Sequence, residues 1–259
     1  MSGFFDFNTV VSALGGEGVT CDKDITTGSA LFTEAPLLCQ QTLSNKQNAL
    51  VCGCCYRFLG SIDIQLQLLM RQISRADVGT CVIDPNSSGY LSALIPCDSN
   101  CGELYCSIEC KEKAWNTVHN YSCTGAITEE EAPTHPLIEF KTHCLMTNEI
   151  FLMVLDVFSM IINELARSGA AVEAGTINGT GPGAVANLDP KASETYQLLE
   201  HYCRELWADA ATAPPGTSAK ELKLMVRRLT NDSYRKITRV FDLDENGLDR
   251  ILTKEYLSR

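Results

Sequence analysis

Residues 97–123 read CDSNCGELYCSIECKEKAWNTVHNYSC, and the spacing of their cysteines decides what kind of fold this chain can have. Cys97 and Cys101 are spaced C-x3-C, Cys106 and Cys110 repeat that spacing inside YCSIEC, and His119 and Cys123 close the stretch as H-x3-C. Upstream, Cys52 and Cys55 add a C-x2-C pair. A short spacing lets one turn of backbone present two donors to one ion, and zinc takes four sulfur or imidazole donors in a closed structural site. Eight donors in four pairs therefore predict two closed zinc sites. Thiolates bind only when deprotonated, so loading is coupled to pH and to folding. Cys54 sits beside Cys55, but a C-x-C pair would crowd one ion, and Cys54 is left out of the ligand set. The competing reading, a group of buried free thiols, does not explain why the donors fall in pairs.

Composition sets the context. The chain has 259 residues, 45% of them hydrophobic, which is enough for a substantial core. It carries 13 cysteines, yet its start, MSGFFDFN, has no basic n-region. The expected compartment is therefore the cytoplasm and/or the nucleus, where cysteines serve metals rather than disulfides. The apolar run from Ile150 to Ile162 is interrupted by Asp156 and is too short to span a bilayer, so no membrane is expected. A net charge of −11 offers no basic stripe for phosphate contacts, so no direct nucleic-acid binding is expected; an acidic surface suits lysine-rich peptides better.

Local patterns place the cysteines on elements. YCSIEC followed by Lys111–Trp115 predicts a short helix with Cys110 and Ala114 on one face. Between the first two pairs, Ile62, Leu66, Leu69 and Ile73 recur at helical spacing, which reads as an inserted packing helix. Residues 80–96, with DPNSSG, read as a loop. Ahead of the cysteines, residues 15–41 place Val19, Ile25, Leu31 and Phe32 in short runs between glycine turns, a β-hairpin pattern. After them, residues 124–136 (including TEEEAPTHP) read as a linker. Phe151, Val154, Leu155, Phe158, Ile162 and Leu165 then form one helical stripe, with Gly169 as its stop. Residues 168–188 read as a flexible loop. Asp189 and Pro190 look like the cap and first position of a helix whose core face is Tyr196, Leu199, Tyr202, Cys203 and Leu206. Leu222, Met225, Val226 and Leu229 suggest a further helix. Trp115 and Trp207 read as core anchors, and His135, His143 and His201 as packing or surface residues. Asp242, Asp244, Asn246 and Gly247 match the start of an EF-hand loop. Thr253 stands where the bidentate Glu belongs and Asp249 where a hydrophobic residue belongs, so a capping turn is expected rather than a calcium site.

The order of the pairs, C-x2-C, a second cysteine pair, YCS-x2-C and then H-x3-C, resembles the MYND zinc finger. The resemblance implies a cross-braced arrangement: a first site of Cys52, Cys55, Cys106 and Cys110, and a second of Cys97, Cys101, His119 and Cys123. Two departures stand out. The third and fourth ligands are spaced C-x3-C where the family usually has C-x2-C, and residues 56–96 make an unusually long gap. Ahead of the finger, Gly16, Gly18, Val19, Asp24, Ile25, Gly28, Leu31, Phe32, Glu34, Pro36 and Leu37 resemble the start of the SET–MYND protein-lysine methyltransferases, in the divergent branch with an enlarged finger.

That resemblance implies an α+β fold in three parts: 1–50 as the N-terminal part of a split SET domain, 51–124 as the MYND finger, and 125–259 as a helical SET-insert-like region. It implies S-adenosylmethionine as cofactor of the complete protein, with Gly16, Glu17 and Gly18 as candidate contacts. Glu17 stands where the family often has Asn or Lys. The implied substrate is a protein lysine, in a histone tail or elsewhere. The family's N-H-S-C-x-P-N segment and the tyrosine after it are absent from the sequence, so no catalytic residue is assigned, and the chain is expected to be the N-terminal part of such an enzyme. The alternative function is a non-catalytic MYND module that holds proline-containing peptides.

Overall fold

A computed structural model describes residues 2–3, 7–11, 17–172, 189–202 and 212–242 of the chain. These fall into two compact units, Met1–Cys39 and Gln40–Arg259. In the first unit, β1 (Ser2–Gly3), β2 (Phe7–Val11), β3 (Glu17–Cys21) and β4 (Phe32–Thr33) form two antiparallel pairs, β1 with β4 and β2 with β3. The hairpin register sets Phe7 opposite Cys21 and Val11 opposite Glu17. The hairpin expected around the glycines is therefore present. Its first strand lies upstream of the glycine-rich stretch, however, and Ile25 falls outside any strand.

The second unit has two larger apolar cores. One is built around the paired cysteines from Leu50, Cys52, Leu59, Ile64, Leu68, Val78, Cys97, Leu104, Tyr105 and Ala114. After the short α1 (Leu43–Lys46), the chain forms β5 (Gly60–Ser61) and α2 (Ile62–Leu69), which starts where the Ser61 hydroxyl accepts from the Ile64 N–H. The buried residues of α2 are Ile64 and Leu68. Ile62, Leu66 and Leu69 are exposed, so the helix shows solvent the face that periodicity marks as the packed one. Gln65 explains the reversal. Its amide donates to the carbonyls of Leu50 and Leu59 and accepts from the Leu50 N–H, so this face must turn inward to satisfy buried backbone. Residues 80–96 are not a simple loop. They contain β6 (Tyr90–Ser92), paired with β5, and β7 (Ile95–Pro96), paired with β8 (Leu104–Tyr105).

The other core lies among the helices that follow: α3 (Ile108–Ala114), α4 (Asn120–Ser122), α5 (Pro136–Met146), α6 (Ile150–Val172), α7 (Glu194–Tyr202) and α8 (Ala219–Val240). Its buried members include Leu137, Phe140, Leu155, Phe158, Ile162, Leu165, Tyr234, Ile237 and Phe241. The stripe read on α6 is buried as expected except for the half-buried Val154, but Gly169 does not end the helix, which runs on to Val172. Asp189 and Pro190 open a 3-10 turn, and α7 starts at Glu194, where the Ser193 hydroxyl accepts from the Tyr196 N–H. On α8, Leu222 and Val226 are buried while Met225 is exposed. Lys220, Lys223, Arg227, Arg228, Arg235, Lys236 and Arg239 all lie on this helix against Glu221 and Asp232, so the acidic total hides one locally basic element. No described helix is long and apolar enough to cross a membrane. The expectations for Cys203, Leu206, Trp207, the stretch 173–188 and the EF-hand-like residues after Asp242 lie outside the described residues.

Candidate metal centre

Three backbone devices bring the paired cysteines together. The first is a pinched loop. Val51 and Phe58 form an isolated antiparallel bridge, Cys52 donates its N–H to the Arg57 carbonyl at 2.9 Å, and Tyr56 donates to the Cys52 carbonyl at 3.0 Å. Tyr56 takes a positive φ of 59°, which turns the chain back and sets Cys55 beside Cys52. The second is the β7–β8 hairpin. Cys97 and Cys101 lie in its turn, where Asn100 (φ 55°) and Gly102 (φ 88°) reverse the chain, and β8 then leads directly into Cys106. The third is one continuous helical rod. Ser107 caps α3 by accepting from the Cys110 N–H at 3.2 Å, and a π turn at Trp115–His119 widens the helix before α4 ends at Ser122, with Cys123 as its C-terminal cap. The hairpin and the segment just after it, like the rod, contribute to both groups of four, so the two groups share one scaffold.

The eight side chains gather as two fours: Cys52, Cys55, Cys106 and Cys110, and Cys97, Cys101, His119 and Cys123. Within each four, all donor atoms lie within 4.8 Å of one another. Cys55 Sγ is 3.5 Å from Cys106 Sγ, Cys106 Sγ is 3.6 Å from Cys110 Sγ, and Cys97 Sγ is 3.8 Å from Cys123 Sγ. His119 Nε2 lies 3.3 Å from Cys97 Sγ and 3.4 Å from Cys101 Sγ. A tetrahedron with zinc–sulfur bonds of about 2.3 Å has sulfur–sulfur edges of roughly 3.8 Å, with slightly shorter sulfur–nitrogen edges. The donor set and its spacing fit zinc. Backbone N–H groups add to the fit: Cys54 and Cys106 donate to Cys52 Sγ at 3.4 and 3.5 Å, and Gly125 donates to Cys123 Sγ at 3.4 Å. Such donors favour the thiolate, which is the form a metal needs.

The electrostatics are hostile to bare thiolates. Burial first, and then neighbouring thiols, push Cys101 and Cys106 well above the ordinary thiol range. A divalent cation reverses that balance. Burial lowers His119 to about 4, so its ring is neutral and able to ligate. The rings of Tyr105 and Trp115 approach it edge-on, each with its centroid 5.9 Å away, and fix its plane. Trp115 is 43% exposed and is therefore not the core anchor its helical position suggests; its packed side is the one against His119.

Cys54 lies outside both fours. Burial, followed by Cys110, raises its thiol to about 11. His143 meets Ser233 Oγ at 2.9 Å, a packing contact between α5 and α8. Of the residues read as cofactor contacts, Gly16 lies outside the described residues. Glu17 and Gly18 sit in β3, opposite Val11 and Val10. Sequence reasoning missed the charged residues behind the second four. Glu103 pairs with Lys46, and Arg75 approaches it at 3.7 Å. Lys141 donates to the Ser122 carbonyl at 3.2 Å. Of these, only Glu103, between the ligands Cys101 and Cys106, carried a signal in the sequence; Lys46, Arg75 and Lys141 lie far from the ligands of that four along the chain.

No family model matches the chain, and no solved structure matches it. Curated proteins do. The chain is 29% identical over 128 residues to Protein-lysine N-trimethyltransferase SMYD5 of Gallus gallus, a match covering 49% of this chain and 29% of that protein. It is 25% identical over 191 residues to Histone-lysine N-methyltransferase ATXR2 of Arabidopsis thaliana, covering 57% of this chain and 40% of that protein. The chain thus spans less than half the length of these relatives. The SMYD-like resemblance read from residues 16–37 and the finger that follows them is borne out by both.

Proposed function

We propose that this chain is the zinc-bearing portion of a SET–MYND protein-lysine methyltransferase, holding one zinc ion on Cys52, Cys55, Cys106 and Cys110 and a second on Cys97, Cys101, His119 and Cys123. The observation that carries the reading is the pair of four-donor groups at tetrahedral edge lengths. The zinc ions do structural work here. With four protein donors each they have no open position for a substrate, and they tie the 52–57 loop, the hairpin and the α3 rod into one body. Metal analysis of the purified chain should give two zinc equivalents, and a strong chelator should abolish cooperative unfolding. A chain that holds no zinc, or one whose folding ignores the chelator, overturns the reading.

The methyltransferase half of the proposal rests on the two relatives' names and on the resemblance of residues 16–37 to a split SET domain. In that reading Gly16, Glu17 and Gly18 touch S-adenosylmethionine, the substrate is a protein lysine, and the protein works in the cytoplasm and/or the nucleus. Calorimetric titration of the complete protein with S-adenosylmethionine, repeated on Gly18→Val, tests it; heats that do not differ from a buffer blank remove the cofactor assignment.

One observation favours a second reading as well. Ile108 and Trp115, seven residues apart on the α3 rod, are 47% and 43% exposed beside the metal centres. Such a face suits a proline-containing peptide. Peptide binding lost in Ile108→Asp, with no effect of S-adenosylmethionine, would favour an adaptor over an enzyme.

A further inference from the structure

We propose that Lys141 is the counter-charge of the second metal centre, so that the ion held by Cys97, Cys101, His119 and Cys123 and the packing of α5 against the finger stabilise one another. The proposal rests on the two-zinc reading above and adds a residue that contributes no donor atom to the metal.

The two centres differ in surroundings. The first includes the exposed Cys55, so water screens its charge, whereas Cys97 and His119 of the second are both buried. Three thiolates outweigh a divalent cation by one negative charge, and an enclosed site must find that charge a partner within the protein. Lys141 reaches the right place. It projects from α5, is half-buried, and donates to the Ser122 carbonyl at 3.2 Å, one residue before the ligand Cys123. Burial disfavours its ammonium and Lys46 repels it, while Glu103, Cys101 and Cys123 favour it through their charge.

The neighbouring charges leave Lys141 uncompensated in the absence of the metal. Glu103 is shared by Lys46 and Arg75. Asp156, the other carboxylate nearby, is held by burial at about 7 and is only partly ionised at neutral pH. Among the described residues, Lys141 forms no ion pair with a carboxylate. Three cations, Lys46, Arg75 and Lys141, therefore face one full anion and one partly ionised carboxyl, so positive charge is in excess here, and the net negative charge of the loaded centre offsets part of it.

The test is metal release from the zinc-loaded full chain to a chromogenic chelator, with wild type, Lys141→Met, Lys141→Arg and Asp156→Asn compared. Partners of a metal site that lie behind the ligands are typically worth about tenfold to a hundredfold in affinity. In Lys141→Met, one zinc equivalent should leave faster by about that factor while the other keeps its wild-type rate. Lys141→Arg should restore both rates, and Asp156→Asn should leave both unchanged. Cobalt substitution identifies the affected centre, because three thiolates with one imidazole absorb differently from four thiolates. Equal acceleration of both equivalents, as general loosening of the fold would give, overturns the proposal, as does an unchanged Lys141→Met. A wild-type chain with no zinc overturns instead the metal reading on which the proposal stands.

Discussion

Asp156 offers the sharpest test of how charge is arranged inside the second unit. It sits in the middle of α6, only 6% exposed. Burial raises its carboxyl to about 7 from 3.8; Lys46 and Lys141 oppose the rise and Glu103 adds to it. Between those two values the folded chain binds more protons than the unfolded chain. Stability is therefore full below about 3.8, falls as pH rises through about 7, and then levels off. At about 1.4 kcal/mol per pKa unit, the whole shift corresponds to roughly 4 kcal/mol, of which roughly 1.4 kcal/mol is lost between pH 6 and pH 8. Asp156→Asn keeps the shape and removes the ionisation. Urea unfolding of the zinc-loaded chain at those two pH values, followed by circular dichroism, should show wild type losing about 1.4 kcal/mol more than the variant, and the variant should be the more stable at pH 8. The lower pH is chosen to keep the thiolate centres loaded. If wild type and Asp156→Asn lose stability in parallel, the carboxyl does not ionise in this range and the reasoning fails.

Three other substitutions probe separate parts of the fold. Burial alone would raise the Glu103 carboxyl, but Lys46, Arg75 and Lys141 hold it at about 2, so its contribution is present above about 4.5 and is lost as pH falls toward 2. Glu103→Gln should lower stability at neutral pH by about 2–3 kcal/mol in urea titration; an unshifted midpoint would mean that its ion pairs contribute nothing. Phe158 is fully buried beside Phe241, with ring centroids 6.4 Å apart, and Phe158→Ala should cost about 3–5 kcal/mol by the same assay. A loss under about 1 kcal/mol would show that the helical core collapses around the gap. Ser218 and Glu221 form a reciprocal capping box at the start of α8, and Ser218→Ala should remove about 1 kcal/mol, read as a lower melting temperature.

Much of this was legible in the sequence where one physical demand dominates. Ligand spacing put cysteines into pairs, and the structure gathers them into the same two fours that the resemblance implies. The α6 stripe was legible because an amphipathic helix must bury its apolar face, and Phe151, Leu155, Phe158, Ile162 and Leu165 do so. Legibility failed where demands compete. In α2, apolar periodicity favours Ile62, Leu66 and Leu69 as the inner face. The backbone groups of Leu50 and Leu59 need Gln65, and an unsatisfied buried carbonyl or N–H costs more than an exposed leucine. At Gly169, a propensity penalty of about 1 kcal/mol was too small to stop a helix already anchored by its packing. The role of Lys141 was invisible because it depends on a carbonyl nineteen residues away in sequence.

The π turn at Trp115–His119 shows how the rod that carries Cys110, His119 and Cys123 is tied to the helical core. A π turn breaks the regular i→i−4 ladder and leaves carbonyls in need of donors. Two residues one turn apart on α6 supply them: Asn163 Nδ2 donates to the Thr117 carbonyl at 2.8 Å, and Arg167 Nη1 donates to the Asn116 carbonyl at 2.9 Å. Asn163 also exchanges hydrogen bonds with the Asn120 side chain at 2.9 and 3.0 Å, on the residue just after His119. The irregularity that positions His119 is thus stabilised by α6, and Lys141 of α5 grips the same rod one residue before Cys123. A pendant finger would satisfy its own backbone. This one relies on the helices that follow it, so under the two-zinc proposal a loss of metal from the second four should loosen α5 and α6 as well as the finger.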